Sequence, residues 1–201
     1  QTWSAAWGDY DNDGDVDVFV GASSFQFGPH KYMMNMGDGT FEDMTVSTGL
    51  GYLDSTTVDW SCYDFDNDGF LDIIGALNII KNMGDGTFEI YDMDFNTAAA
   101  VGDINNDGFL DIISNSGTIQ INNGNDNNFI VVNLQGVESN YNGIGARITV
   151  ESETKKQIRD VRSGEGFRSM PSISSHFGLG DDEFIQSISV NWPSGVVNVI
   201  E

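Results

Sequence analysis

Basic residues are scarce: eight Lys and Arg stand against 31 Asp and Glu in 201 residues, a formal net charge of −23. A nucleic-acid partner needs a basic footprint, and an anionic membrane surface repels a chain of this charge, so neither is expected as a partner. Cysteine occurs once, at Cys62, which excludes an internal disulfide and leaves the redox compartment open. The two histidines, His30 and His176, lie far apart, which argues against a Cys/His zinc site. The longest apolar runs, LDIIGALNII and FIVVNL, fall far short of the roughly 20 residues that span a bilayer. No charged-then-apolar leader opens the sequence, which therefore reads as soluble and, if exported, as shown without its leader. Gly-x-Ser-x-Gly, phosphate-loop and dinucleotide motifs are also missing.

What is present is a folded composition, 39% apolar and 11% aromatic, with an uneven charge. Residues 1–129 carry 22 Asp and Glu against two Lys, a net of −20; residues 130–201 carry nine against six Lys and Arg, a net of −3. Two regions with different tasks are expected, with the boundary between residues 128 and 129.

The acidic excess is concentrated in one motif written three times: DYDNDGDVD at 9–17, DFDNDGFLD at 64–72 and DINNDGFLD at 103–111. Each copy is preceded by a strand-like run and followed by another, then by a Gly-rich turn such as NMGDGTF. Counting back from the first aspartate, the even offsets carry bulky residues (Trp7, Cys62, Val101; Trp60) and the odd offsets mostly small ones (Gly8, Gly102; Ala6, Ser61). That period of two fits strands packed on both faces. Four short strands per unit, repeated, is the logic of a propeller blade. Since a propeller usually has four to eight blades, three predict a partial propeller or a fragment of one.

Acidic oxygens at loop positions 1, 3, 5 and 9, with glycine at 6 for a sharp bend, gather hard ligands around one point, which is what Ca²⁺ prefers. The expected ligands are the side chains of Asp9, Asp11, Asp13 and Asp17 with the carbonyl of Asp15. The second loop offers Asp64, Asp66, Asp68 and Asp72 with the carbonyl of Phe70; the third offers Asp103, Asn105, Asp107 and Asp111 with the carbonyl of Phe109. Two to three calcium ions follow. Without an ion, unit charges about 4 Å apart repel by roughly 1 kcal/mol in water and about 4 at an effective dielectric near 20. The EF-hand, which shares the first six positions, needs a Glu at position 12, where this chain has Val20, Gly75 and Ser114.

At these residues the chain resembles the FG-GAP/VCBS repeat family, calcium-loop blades found in integrin α-subunit propellers and in many secreted bacterial proteins. From about residue 129, the landmarks NGIGAR (142–147), HFGLG (176–180) and WPSG (192–195) resemble the ASPIC/UnbV domain, which follows such repeats in cartilage acidic protein and its bacterial relatives. The resemblance implies an all-β chain, with FG-GAP/VCBS-like blades over 1–128 and a small β-domain over 129–201. It also implies an extracellular location, secreted or at the cell surface, and no enzymatic activity.

Other features have plainer readings. Trp3, Trp7 and Trp60 are expected on packed strand faces rather than stacked on sugars, and Cys62 as an inert buried thiol. Arg147, Lys155, Lys156, Arg159, Arg162 and Arg168 either receive an acidic partner or anionic glycan, or solvate one face and offset the repeats; the second reading is favoured. His176 is expected to be structural. The expected function is a calcium-binding, non-enzymatic scaffold for adhesion, surface display or recognition of a protein or glycan ligand, with self-association open. The alternatives are a propeller enzyme such as a polysaccharide lyase, for which residues 1–129 supply only His30, Lys31 and Lys81, and a structural subunit of an extracellular assembly.

Overall fold

The computed structural model describes residues 2–97, 99–114, 116–165, 170 and 172–201. It is all-β, with the repeats folded as propeller-type sheets and, among the described residues, no closed barrel. The first sheet runs β1 (Thr2–Gly8), β2 (Asp17–Ala22), β3 (Lys31–Asn35) and β4 (Phe41–Asp43), each antiparallel to the next. The second repeats this order with β5 (Trp60–Tyr63), β6 (Asp72–Gly75), β7 (Asn78–Asn82) and β8 (Phe88–Asp92). In both, the acidic loop joins the first strand to the second and the Gly-Asp-Gly turn joins the third to the fourth.

The third sheet departs from the expected four strands. It holds β9 (Ala99–Gly102), β10 (Asp111–Ser114) and the two-residue β11 (Ile119–Gln120). The cause lies in INNGNDNNF, which lacks the Gly-Asp-Gly-Thr turn of the other two sheets. Asn125 and Asn127 instead donate their side-chain amides to the carbonyl of Asp66 in the second sheet, 2.7 and 2.8 Å away. The chain then leaves as β12 (Asn128–Val132).

The blades stack face on face. Trp60 is fully buried against the first sheet, edge-on to Phe19 at 5.3 Å, and its backbone N–H donates to Ser4 Oγ at 2.8 Å. Gly21 makes room for that ring: a Cβ there would lie 2.0 Å from Trp60 Cδ1. Between the second and third sheets, Ile74, Ala99, Val101 and Ile112 form a second core. Ile73 and Ile74, adjacent in β6, are both fully buried because this middle blade is covered on both sides.

Trp60 and Cys62 are therefore core residues, but the expectation for Trp3 and Trp7 is corrected: they are 49% and 45% exposed. Their parity was read properly as one strand face, yet on the first blade that face has no other blade against it. The equivalent face of the second blade, with Cys62 6% exposed, is closed by the first.

The C-terminal region packs two sheets. β12 pairs with β15 (Ser175–Gly180), and β13 (Arg147–Ser152), β14 (Lys156–Asp160), β16 (Ile185–Asn191) and β17 (Val197–Ile200) pair in the order β14-β13-β16-β17. Ile148, Val150, Phe177, Leu179 and Val190 fill the space between them. No helix among the described residues is long and apolar enough to cross a membrane.

Candidate metal centres and their cover

All three acidic loops are tied by the same bonds. The position-1 aspartate accepts from the position-6 glycine N–H: Asp9 from Gly14 at 3.1 Å, Asp64 from Gly69 at 2.9 Å, Asp103 from Gly108 at 2.9 Å. The position-9 aspartate accepts on one oxygen from the position-2 N–H and on the other from the asparagine that opens the hairpin. Asp17 takes Tyr10 (3.2 Å) and Asn35 (2.7 Å), Asp72 takes Phe65 (3.0 Å) and Asn82 (2.9 Å), and Asp111 takes Ile104 and Asn122 (both 2.8 Å). The tight curl puts position 4 in the left-handed region, at φ 60°, 58° and 58° for Asn12, Asn67 and Asn106, where asparagine is among the few tolerated side chains.

This folding brings the ligand oxygens of Asp9, Asp11 and Asp17 within 4.8 Å of one another, and likewise those of Asp64, Asp66 and Asp72. Asp13 and Asp68 stand outside those trios, each accepting from the backbone two residues on: Asp15 N at 2.8 Å and Phe70 N at 2.9 Å. Phe109 closes the same turn onto Asp107 at 2.9 Å. Loop three gathers no carboxylate trio among the described residues. Both oxygens of Asp103 are taken, by Gly108 N and by Asp107 N at 3.1 Å, and Asn105 Nδ2 donates to Asp107 Oδ2 at 2.7 Å, supplying a neutral donor where the other loops have a carboxylate.

Burial makes the first two loops electrostatically expensive. Asp9 is 1% and Asp64 2% exposed, and Oδ1 of each has no hydrogen-bond partner. Desolvation, reinforced by neighbouring aspartates, pushes both carboxyls up to about 7. Burial likewise raises Asp17 and Asp68 to about 6 and carries Asp72 well above the usual carboxylate range. Lys81, on β7, ion-pairs with Asp66 and lies 3.8 Å from Asp68, offsetting part of the charge. An orphaned buried carboxylate oxygen in a cluster of others is a position for a hard cation, and oxygen-only donors fit a divalent one.

The C-terminal domain covers loop two. Gly180 N donates to Asn67 O at 2.7 Å, and His176 Nε2 lies 2.6 Å from Asn67 Oδ1. A Cβ on Gly178 would come within 2.3 Å of Asp64 Oδ2, so only glycine lets the strand approach this close. His176 stacks on Phe129 at 5.6 Å, and burial pulls its pKa down to about 4. His30 is equally tied down: Nδ1 accepts from Ala22 N and Nε2 donates to Ser55 O, both at 2.9 Å.

The five described basic residues of the six do not form the solvated face that was favoured. Arg147 pairs with Asp160 at 2.8 Å, and Arg162 bridges Glu165 (2.8 Å) and the carbonyl of Trp7 (2.7 Å). Arg159 is partly buried over the Phe177 ring, 5.3 Å from its centroid, and Lys155 Nζ donates to Leu179 O at 3.2 Å. Lys156 is exposed, and Arg168 lies outside the described residues. Internal carboxylates and the interface with the repeats consume most of this charge.

Sequence reasoning missed the asparagines that stitch loop to loop. Asn12 Nδ2 donates to Gly69 O at 3.1 Å and Asn67 Nδ2 to Gly108 O at 3.0 Å. In the opposite sense, Asn82 Nδ2 donates to Tyr10 O and Asn122 Nδ2 to Phe65 O, both at 2.7 Å. The signal was present: asparagine stands at the fourth position of every loop and at the start of every hairpin.

Comparison with known families agrees with this arrangement. Residues 9–75 match the FG-GAP-like repeat, and residues 136–201 match the ASPIC and UnbV domain. No curated protein is significantly similar to the chain. The propeller-type blades with their acidic loops, and the β-domain seated on them, thus correspond to an FG-GAP-like repeat over residues 9–75 followed by an ASPIC and UnbV domain over residues 136–201.

Proposed function

We propose that the chain is an extracellular, non-enzymatic scaffold whose first two loops each hold a calcium ion, and that it serves adhesion, surface display or recognition of a protein or glycan ligand. The observation that carries the metal reading is the pair of buried, unpartnered oxygens, Asp9 Oδ1 and Asp64 Oδ1, each inside a cluster of aspartates. Asp9, Asp11, Asp13 and Asp17 with the carbonyl of Asp15 would hold one ion, and Asp64, Asp66, Asp68 and Asp72 with the carbonyl of Phe70 the other. Loop three, whose aspartates satisfy one another through N–H donors, folds without one. The ion contributes charge neutralisation; the chain contributes the curl that keeps the oxygens converged.

Calcium is favoured over magnesium because it accepts six to eight oxygens in irregular geometry, and the millimolar level outside cells suits sites of modest affinity. The non-enzymatic reading is supported by the two histidines, whose ring nitrogens are engaged in structural hydrogen bonds: both nitrogens of His30, and Nε2 of His176.

The test is thermal unfolding after chelation, repeated with Ca²⁺ and with Mg²⁺, with bound metal counted by elemental analysis. At free calcium 100 times the dissociation constant, each site adds about 2.7 kcal/mol. Two ions per chain and a calcium-specific rise in melting temperature are expected; no bound ion and no shift would overturn the metal reading.

A further inference from the structure

Arg159 belongs to the surroundings of both carboxylate trios. It walls a cavity of about 110 Å³ together with Asp64, Tyr63 and His176, and a second of about 60 Å³ together with Asp9, Gly8 and Trp7. Arg147 and Arg162 of the same domain are ion-paired, but among the described residues no carboxylate oxygen lies within 4.0 Å of the Arg159 nitrogens. Neutral groups hold the guanidinium instead: Nη1 donates to Ile158 O at 2.9 Å and Nη2 to Gln157 Oε1 at 3.2 Å, over the Phe177 ring.

Its place is set by the strand that covers loop two. Gln157 is fully buried and donates Nε2 to Gly178 O at 2.7 Å, and Gly178 is the glycine that passes against Asp64. Burial raises the Asp9 and Asp64 carboxyls, and Arg159 is a cation that pulls each back down. One guanidinium thus acts on two carboxylates that each carry an unpartnered oxygen, without pairing with either.

We propose that Arg159 is a built-in competitor of calcium at loops one and two: it supplies part of their positive charge in the ion-free protein and lowers their affinity for the ion. This rests on the calcium reading of both loops given above. An ion entering either loop meets a cation held in place by Gln157, the Ile158 carbonyl and the Phe177 ring. Repulsion between a fixed cation and a divalent ion across a few ångströms of protein interior is worth about tenfold or more in affinity. The charge lies under the C-terminal domain, so salt screens it little. Because that domain carries Arg159, its seating on the blades sets the calcium level at which the loops fill, and by linkage filled loops weaken the hold of the same arginine.

The test is calcium affinity by competition with a chelator, starting from the calcium-loaded whole chain, for the parent, Arg159→Met, Arg159→Gln and Lys156→Gln. Met keeps an apolar stem over Phe177, and thermal unfolding of each loaded variant checks its fold. Pairing each substitution with Asp64→Asn or Asp9→Asn silences one loop and reads the other. Both Arg159 variants are expected to bind calcium about tenfold tighter or more at each loop, an advantage that persists as salt is raised. Lys156→Gln, which removes an exposed charge from the same strand, is expected to change affinity by less than about twofold. Unchanged or weaker binding in both Arg159 variants overturns the proposal. So does a gain confined to one loop, or an equal gain in Lys156→Gln, which would mean that only net charge counts. A parent chain that binds no calcium overturns the metal reading itself, and this is seen before any variant is compared.

Discussion

His176 Nε2 sits 2.6 Å from Asn67 Oδ1, joining the C-terminal domain to a loop residue whose own side chain is also bonded to the next blade. Asn67 is fully buried and left-handed, with its amide on Gly108 O and its carbonyl on Gly180 N. Replacing Asn67 with Ala removes two side-chain hydrogen bonds at about 1 kcal/mol each and adds roughly 1–2 kcal/mol of backbone strain. Asn67→Gly loses the bonds but not the backbone comfort. Urea unfolding is expected to rank the wild type above Asn67→Gly and Asn67→Ala lowest; equal losses would mean that the backbone contributes nothing.

The same contact sets a pH dependence. The folded pKa of His176, about 4, lies below the ordinary value of 6.5, so the unfolded chain binds more protons between those values. Stability from this group is complete above about pH 6.5 and falls as pH drops toward 4. His176→Gln is expected to flatten that part of the profile while leaving the carboxylate-driven part, and the difference between the two unfolding curves isolates the histidine.

Loops one and two should respond alike to charge removal, and loop three should not respond. Asp9→Asn and Asp64→Asn are each expected to remove about half of the calcium-induced stabilisation, about 2.7 kcal/mol at free calcium 100 times the dissociation constant. Asp103→Asn is expected to leave that calcium increment unchanged, because its oxygens are already occupied by Gly108 N and Asp107 N. Calorimetry with and without calcium reads all three.

Gly21→Ala should destabilise the first blade pair by roughly 1–3 kcal/mol through overpacking, since the added methyl would fall 2.0 Å from the Trp60 ring. Gly14→Ala at a site with open space tests the alternative that any glycine replacement has this effect; its φ of 96° makes its loss one of backbone strain alone. Loss of native Trp60 fluorescence in Gly21→Ala only is the expected distinction.

Cys62 is buried, and desolvation drives its thiol up to about 12. Thiol reagents are therefore expected to react only as fast as the blades open, and calcium should slow them further. Rapid labelling of the native protein would contradict the packing of Cys62 beneath the first blade.

Most of the architecture was legible because it is written three times. The Asp-x-Asp-x-Asp-Gly loops and the period-two flanks located the strands, and the expected fourth strand is absent from the third sheet, where Asn125 and Asn127 turn to bond the second blade. Strand parity told which residues share a face, but not whether a neighbour covers that face, so Trp60 and Trp7 looked alike and are not. The basic residues were misjudged for a related reason. A count of charges does not reveal that Arg162 reaches the carbonyl of Trp7 or that Arg147 is spent on Asp160, since both partners lie across tertiary contacts.

The asparagine stitches make every junction between blades alike. Donor and acceptor sit at the same loop positions at both junctions, so the polar stitches of neither need a residue found only there. A tandem duplication in the coding sequence therefore inserts a blade whose polar stitches already fit its neighbours on both flanks. The length of such an array can drift by whole units, with selection acting afterwards on the surfaces and on the apolar fit of the joints rather than on their hydrogen bonds.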